Sequence, residues 1–548
     1  MNEIGIVVLF VLGITGFFYY LDYVSRVKLR KQIKSDWGNI PRGTKRDTEK
    51  SLYKAFSLKN QQENSLIDDL TWQDLDMFEV FQRLNLTYSS IGSEKLYETL
   101  RSYSLSDDKT SSEEIIAYFK EHPAEREAFS YQFAQLGKKD FNYIQAYLNE
   151  QTKPVFEQQG LFAFLGLLPI ISLLSAIFIG PVGLFVGLAS LCFNTIFYFI
   201  QKGKLDVELG TMSYLVQSLS LGTKLSKKNS PVKEDLQKKI APFQKVLPFA
   251  FAFKTKTGGE MEMMVEMLGG AFLLPFISYG TVSKALSHHQ QDAKDIWDLL
   301  GQLEVSIAIL NLREVYGDHW CLPEFTDKNE VVGENVIHPL LSEPVPNPVA
   351  WQKSTLITGS NASGKSTYVR SVAINCLLAQ TLNTCLATSF QLKRGHILSS
   401  MGVSDSVIDG DSYFIAEIKS LRRLINQVAT GEFCYTFIDE ILKGTNTIER
   451  IAASSSVIQW LNQQHQLTFV ATHDIELPQI LGGACDNIHF EETVEKDQGI
   501  TFDYLLKDGV ATSRNAIKLI DALGFPDEIV AHAFESATYF DTNKAWHS

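Results

Sequence analysis

Ser354-Thr-Leu-Ile-Thr358-Gly359-Ser-Asn-Ala-Ser-Gly364-Lys365-Ser366-Thr367-Tyr368-Val-Arg-Ser-Val-Ala373 is the stretch on which the reading of this chain turns. A strand-like apolar run leads into a complete G-x-x-x-x-G-K-S spacing and a helix-like run leaves it, which is the context a phosphate-binding loop needs. Glycines let backbone N–H groups close around phosphate oxygens, the lysine reaches the terminal phosphates, and the serine hydroxyl ligates Mg2+. Gly359, Asn361, Ser363, Gly364, Lys365, Ser366 and Thr367 are thus the expected seat of ATP, with Mg2+ on Ser366.

Two later strand-like runs serve the same site. Phe433-Cys-Tyr-Thr-Phe-Ile438-Asp439-Glu440 is apolar until it ends in two carboxylates. Asp439 is expected to organise the metal and Glu440 to polarise the attacking water, since a carboxylate aimed at that water raises the fraction of productive encounters. Leu467 to Ala471 then delivers Thr472-His473 at its carboxyl end, where ligands collect in α/β sheets, and places His473 to sense the γ-phosphate or the water. Lys365, Glu440 and His473 are the expected catalytic set.

Around this centre the composition sets bounds. At about 150 residues per domain, 548 residues suggest three to four domains. Hydrophobic residues at 45% and charged residues at 21% exclude disorder and low-complexity scaffolds. A net charge of −13 supplies no global positive field, so any polyanion site is local. The cysteines Cys192, Cys321, Cys376, Cys385, Cys434 and Cys485 form no CxxC pair and read as reduced core thiols, consistent with a cytosolic bulk.

Two stretches read as membrane segments. Ile4 to Leu21 carries no charge and is followed by Arg26, Lys28, Arg30, Lys31 and Lys34, the pattern of an N-terminal anchor whose downstream chain stays in the cytoplasm. Gln158 to Gln201 is also free of charge, is divided by Gly180-Pro181 and is flanked by Lys153, Lys202 and Lys204. Its length suits two helices of about 20 residues across a hydrocarbon layer of about 30 Å, with both ends on the cytoplasmic side. Three transmembrane helices in a cell membrane, with the remaining domains facing the cytoplasm, are expected.

Elsewhere residues 26–65 read as a linker, and helical spacing dominates from Leu66 to Leu148 and from Val207 to Tyr316. Between Lys224 and Lys256 the lysines outnumber the acids, which are only Glu234 and Asp235. Lys238, Lys239, Lys245, Lys254 and Lys256 in this stretch are candidate contacts for a phosphate backbone or for anionic lipid.

The runs TGSNASGKSTYVR, FIDEILKGTNT (Phe437 to Thr447) and FVATHDIEL (Phe469 to Leu477) together resemble the ATPase domain of the MutS mismatch-repair family. Gly402 to Glu417 keeps that family's spacing G-x-S-D-x4-G-x-S-x-F-x-x-E, with Asp411 and Tyr413 where Arg and Thr are usual. The resemblance implies a homodimer in which Ser412 reaches the partner's ATP, and a DNA ligand, mismatched or otherwise non-standard. It also implies that an α-helical core and lever region precede a C-terminal α/β P-loop ATPase domain. On that reading residues 1–25 are an anchor, 66–157 the first part of the core, 158–201 a transmembrane hairpin, 202–335 lever and remaining core, and 336–548 the ATPase. The run Glu343 to Trp351, where the family places an adenine-stacking aromatic, offers no clear match, and no room precedes Leu66 for a mismatch-reading domain. Phe119-Lys-Glu121 has the spacing of that domain's wedge motif but stands in a helical stretch and reads as coincidence.

Two functions compete on these grounds. One is a membrane-anchored MutS-type ATPase that couples its nucleotide state to DNA; the other is an ATP-driven membrane switch that ignores DNA. A transporter of the ABC type is excluded by the lack of an LSGGQ signature.

Overall fold

In the computed structural model the described residues are 3–41, 47–59, 67–103, 110–139, 143–149, 159–245, 247–248, 267–360, 363–402, 413–495, 499–511, 516–543 and 545–546. Two compact units divide them. The first comprises residues 1–63, 84–98 and 108–315, the second 64–83, 99–107 and 316–548.

The first unit is helical throughout its described residues. Its N-terminal helix Glu3–Asp36 carries the Ile4 to Leu21 stretch straight on into the charged segment behind it. Among the described residues two helices, rather than the three expected, are long and apolar enough to cross a membrane: Gly160–Ile179 and Pro181–Gly203. Phe178, Phe185 and Ile177 on this pair are exposed. A soluble helix buries one apolar stripe, whereas these helices are apolar on every side and leave most of that surface uncovered. The second continues as one helix to Leu225, interrupted by non-helical backbone at Leu205. Phe119 is fully buried in the helix Thr110–Glu121, with its ring 5.3 Å from that of Phe129, so it is a core residue.

In the second unit six strands form the main sheet: β1 Thr355–Thr358, β2 His396–Ser400, β3 Cys434–Asp439, β4 Leu467–Ala471, β5 Asp486–His489 and β6 Lys507–Asp508. Their order is β6-β5-β1-β4-β3-β2, parallel except for β6. β1, β3 and β4 are buried on both faces apart from Asp439 at the end of β3, as expected for the centre of a parallel sheet covered on both sides. The helices Lys365–Leu382, Tyr413–Val428 and Thr447–Gln463 connect these strands. A four-stranded sheet with Val331–Val336 and Asn347–Trp351 at its centre and edge lies alongside. Trp351, fully buried, joins the two by packing its ring 3.9 Å from that of Phe469 and 5.4 Å from that of Phe437.

A short helix far away in sequence, Asp69–Asp74, braces the edge of the main sheet. The buried Asp74 carboxylate accepts hydrogen bonds from Ser399 Oγ at 2.7 Å, Met401 N at 2.9 Å and Gly402 N at 3.1 Å, fixing the point where the chain leaves β2. Two residues on, Asp76 pairs with Arg370 of the helix Lys365–Leu382 at 2.8 Å. Removing an acceptor from buried donors costs more than the bond was worth. Asp74→Ala is therefore expected to destabilise this unit by about 2–4 kcal/mol, and Asp74→Asn, which keeps a carbonyl, by less. Denaturant unfolding of the full chain checks this, and identical midpoints for Asp74→Ala and the wild type would contradict it.

Candidate nucleotide-binding site

The site is built where β1, β3 and β4 end. β1 delivers the loop from Gly359, which turns directly into the helix beginning at Lys365. Both glycines are demanded by geometry. Gly359 has φ +133° and a Cβ there would stand 2.3 Å from Phe490 O, while Gly364 has φ +105° at the helix start. The loop is held by Ser363, buried, whose hydroxyl donates to Ser360 O at 2.7 Å. Asn361 lies outside the described residues, as does Ser412.

Lys365 is almost fully buried and folds back over its own loop, donating from Nζ to Gly359 O and Ser360 O, each at 2.7 Å. Burial pushes its ammonium below the ordinary lysine range, against the attraction of Asp439, Glu440 and Glu492. Burial likewise raises the Asp439 carboxyl, opposed by a hydrogen bond with the Ser366 hydroxyl. Ser366 and Asp439 thus meet although 73 residues separate them in the chain.

Glu440 sits one residue past β3 in a left-handed conformation, φ +61°, with Leu442 at φ +55° just beyond. Non-glycine residues hold this conformation only where the surroundings over-determine it, and such strain concentrates at functional sites. The N–H of Glu440 donates to Ala471 O at 2.8 Å, tying this turn to the end of β4. One carboxylate oxygen lies 2.8 Å from His473 Nδ1 and the other 2.6 Å from Lys443 Nζ. Burial works against ionisation of Glu440, but these hydrogen bonds and charges prevail and hold its carboxyl at about 2. The same bond raises His473 above the ordinary imidazole range. Behind them Glu417, buried, accepts Lys443 N at 3.0 Å, and Arg450 grips Asp474 through both its Nε and a terminal nitrogen.

Beside the loop opens a cavity of about 390 Å3 lined by Gly364, Ser366, Thr367, Glu343, Phe490 and Tyr504, among others. Its walls are part apolar and part polar, and it adjoins the first turn of the helix after the loop, so it has the place and character of a nucleoside seat. Here sequence reasoning fell short. It looked for an aromatic within Glu343 to Trp351, whereas Tyr504 and Phe490 are supplied from far downstream. It also missed Glu492, buried, which accepts the Ser360 hydroxyl at 2.8 Å and faces Lys365 with its charge. None of the three carries a motif, since each arrives by way of the sheet order.

The candidate lysines fare differently. Lys238 and Lys245 are exposed, but Lys239 is neutralised by Asp295 at 2.5 Å and Asp292 at 3.4 Å from the helix Gln290–Tyr316. The stretch is therefore less basic in the fold than in the sequence. Lys254 and Lys256 lie outside the described residues.

A mostly parallel sheet with a glycine-bounded loop between its central strand and the following helix makes the C-terminal region a mixed α/β domain. Residues 355–541 match the family model described as MutS domain V, so this part of the chain is similar to that domain. DNA mismatch repair protein MutS of Streptococcus equi subsp. equi is 29% identical over 254 residues, 43% of this chain and 30% of the relative. The proteins of the same name from Aquifex pyrophilus and Thermus aquaticus are 30% and 28% identical over 249 and 238 residues, each match covering 43% of this chain and 28% and 29% of the relative. The chain thus spans about 30% of the length of the curated relatives it matches.

The pairing of His473 with Glu440 has a measurable sign. A histidine raised by a partner stays protonated as pH climbs past its ordinary value and loses the pair's stabilisation only above that, while the depressed Glu440 loses it only as pH falls towards about 2. NMR titration of His473 is expected to give a midpoint above 6.5, and Glu440→Gln to move it down. A midpoint unchanged by Glu440→Gln would contradict the pairing.

Proposed function

We propose that this chain is a membrane-anchored MutS-type ATPase, active as a homodimer, that binds and hydrolyses Mg-ATP and couples its nucleotide state to DNA. The observation that carries this reading is the convergence of Lys365, the Ser366–Asp439 pair and the Glu440–His473 pair at adjoining strand ends.

The residues present suit the ligands. The cradle of Gly359 and Gly364 admits phosphate oxygens against backbone N–H groups, and the cavity bordered by Tyr504 and Phe490 suits a purine base stacked on an aromatic ring. Ser366 and Asp439 would hold Mg2+, a hard cation that prefers such oxygen donors and neutralises charge on the phosphates when bound. Lys365 exchanges two loop carbonyls for phosphate oxygens, the stronger partners for an ammonium. Glu440, ionised at any physiological pH, orients a water through one oxygen while His473 fixes the other. Ser412 approaches the partner's triphosphate, which makes hydrolysis depend on dimerisation.

The DNA ligand rests on the relatives, each named a DNA mismatch repair protein, and on exposed lysines such as Lys238 and Lys245. A membrane attachment rests on the apolar pair Gly160–Ile179 and Pro181–Gly203, and a switch that acts within the membrane without DNA is the second reading that this pair favours.

Lys365→Ala is expected to lower ATP affinity by at least two orders of magnitude. Glu440→Ala is expected to retain ATP while losing turnover by a comparable factor, as read by nucleotide binding and phosphate release; equal turnover in Glu440→Ala and the wild type would remove Glu440 from its role. Measured on the intact chain in vesicles, the wild-type rate is expected to rise with mismatched or branched DNA and to lose that stimulation as salt increases, because phosphate contacts weaken with ionic strength. A rate indifferent to every DNA at low salt would transfer the assignment to the membrane switch.

A further inference from the structure

A broken helix packed on the apolar pair carries the argument beyond a simple hairpin. From Met267 to Ser283 the chain has no charged residue. Residues 267–271 are helical, Leu273 then adopts a left-handed conformation at φ +52°, and a new helix, Leu274–His288, starts with Pro275 in its first turn.

The break faces the two apolar helices at close range. A Cβ on Gly166 would lie 2.4 Å from Phe272 O, and one on Gly270 would lie 2.5 Å from the Tyr198 ring, so glycine is required on both sides of the contact. The ring of Phe276 packs 5.3 Å from Phe162 and 5.5 Å from Tyr198. Asn194, fully buried, donates to Leu165 O at 2.8 Å and to Ala271 O at 3.0 Å. One amide therefore serves a carbonyl of the first apolar helix and a carbonyl next to the break.

Depth follows from helix geometry. Gly166 and Asn194 stand equally far before and after the turn at Gly180, about 21 Å along the helix at 1.5 Å per residue. A hydrocarbon layer is about 30 Å thick, so contacts at this height lie inside the leaflet through which the hairpin enters. Backbone groups freed by a break at that depth must be satisfied by protein, which is what Asn194 does for Ala271. Small residues that admit close backbone approach are the usual packing device there.

We propose that residues 267–283 are a re-entrant broken helix that dips into the cytoplasmic leaflet beside the hairpin and turns its outer face, with the exposed Met267 and Leu268, towards lipid acyl chains. This rests on the hairpin spanning the bilayer. The membrane domain is then a three-part unit, and the bilayer holds a segment belonging to the cytoplasmic helical unit on either side of it.

The test uses the full chain in phosphatidylcholine–phosphatidylglycerol vesicles and a membrane-impermeant maleimide, with labelled peptides quantified by mass spectrometry. Native Cys192, exposed on the hairpin, reports on the hairpin, and Leu268→Cys, which the protein leaves uncovered, reports on the broken helix. Both thiols are expected to label at least tenfold more slowly than Lys284→Cys, and to label fully once denatured. Adding Asn194→Leu to Leu268→Cys is expected to bring the label rate at 268 up to that of Lys284→Cys while Cys192 stays protected. Rapid labelling of Leu268→Cys with Cys192 protected would overturn the re-entrant segment and leave the hairpin standing. Rapid labelling of Cys192 would sink the hairpin and this inference together, and continued protection at 268 in the Asn194→Leu chain would remove Asn194 as the device that holds the break.

Discussion

A buried ammonium surrounded by carboxylates governs the α/β unit. Lys365 is almost out of contact with water and feels Asp439 and Glu440 from the end of β3 and Glu492 from beyond β5. Burying such a charge without compensation costs several kcal/mol, so the loop must offer its own carbonyls and the sheet must bring up its acids. The strand order follows the same demand: β1 lies next to β4, and β4 next to β3, which sets the loop, the His473 turn and the two carboxylates side by side. Glu440 is accommodated only by a left-handed turn, and that turn is pinned at its two ends by Ala471 and Glu417.

Lys365 is turned onto its loop, and the two oxygens of Glu440 are held by His473 and Lys443. A triphosphate offers Lys365 better partners than neutral carbonyls, and a departing Lys443 frees the oxygen that must face water. In the proposed cycle, ligand binding thus exchanges one set of ionic contacts for another, so the energy of binding is converted into rearrangement around β3 and the chain leading to Glu417. The brace from Asp74 and Asp76 reaches the exit of β2 and the helix after the loop, two places such a rearrangement would move.

Much of this was legible in the sequence because local chemistry demanded it. Gly359 to Thr367 declares a phosphate loop through glycines that no other residue replaces, and Asp439-Glu440 declares itself as paired charge at the end of an apolar strand. Helical character of the first half was readable from periodicity, and the apolar pair from its lack of charge. What stayed hidden depends on folding partners remote in sequence. Glu492, Tyr504 and Phe490 reach the loop only because β5 lies beside β1, and Asp74 reaches β2 from more than 300 residues away. Lys239 looked free because its neutralising Asp292 and Asp295 lie on another helix.

Equilibrium binding of ATP to the intact chain, with and without a divalent cation, tests the central claim most directly. The account predicts saturable binding of one nucleotide per chain that strengthens with Mg2+ and falls when the cation is chelated, because Ser366 and Asp439 are placed to share it with the phosphates. Absence of binding at millimolar ATP, or affinity indifferent to Mg2+, would contradict it.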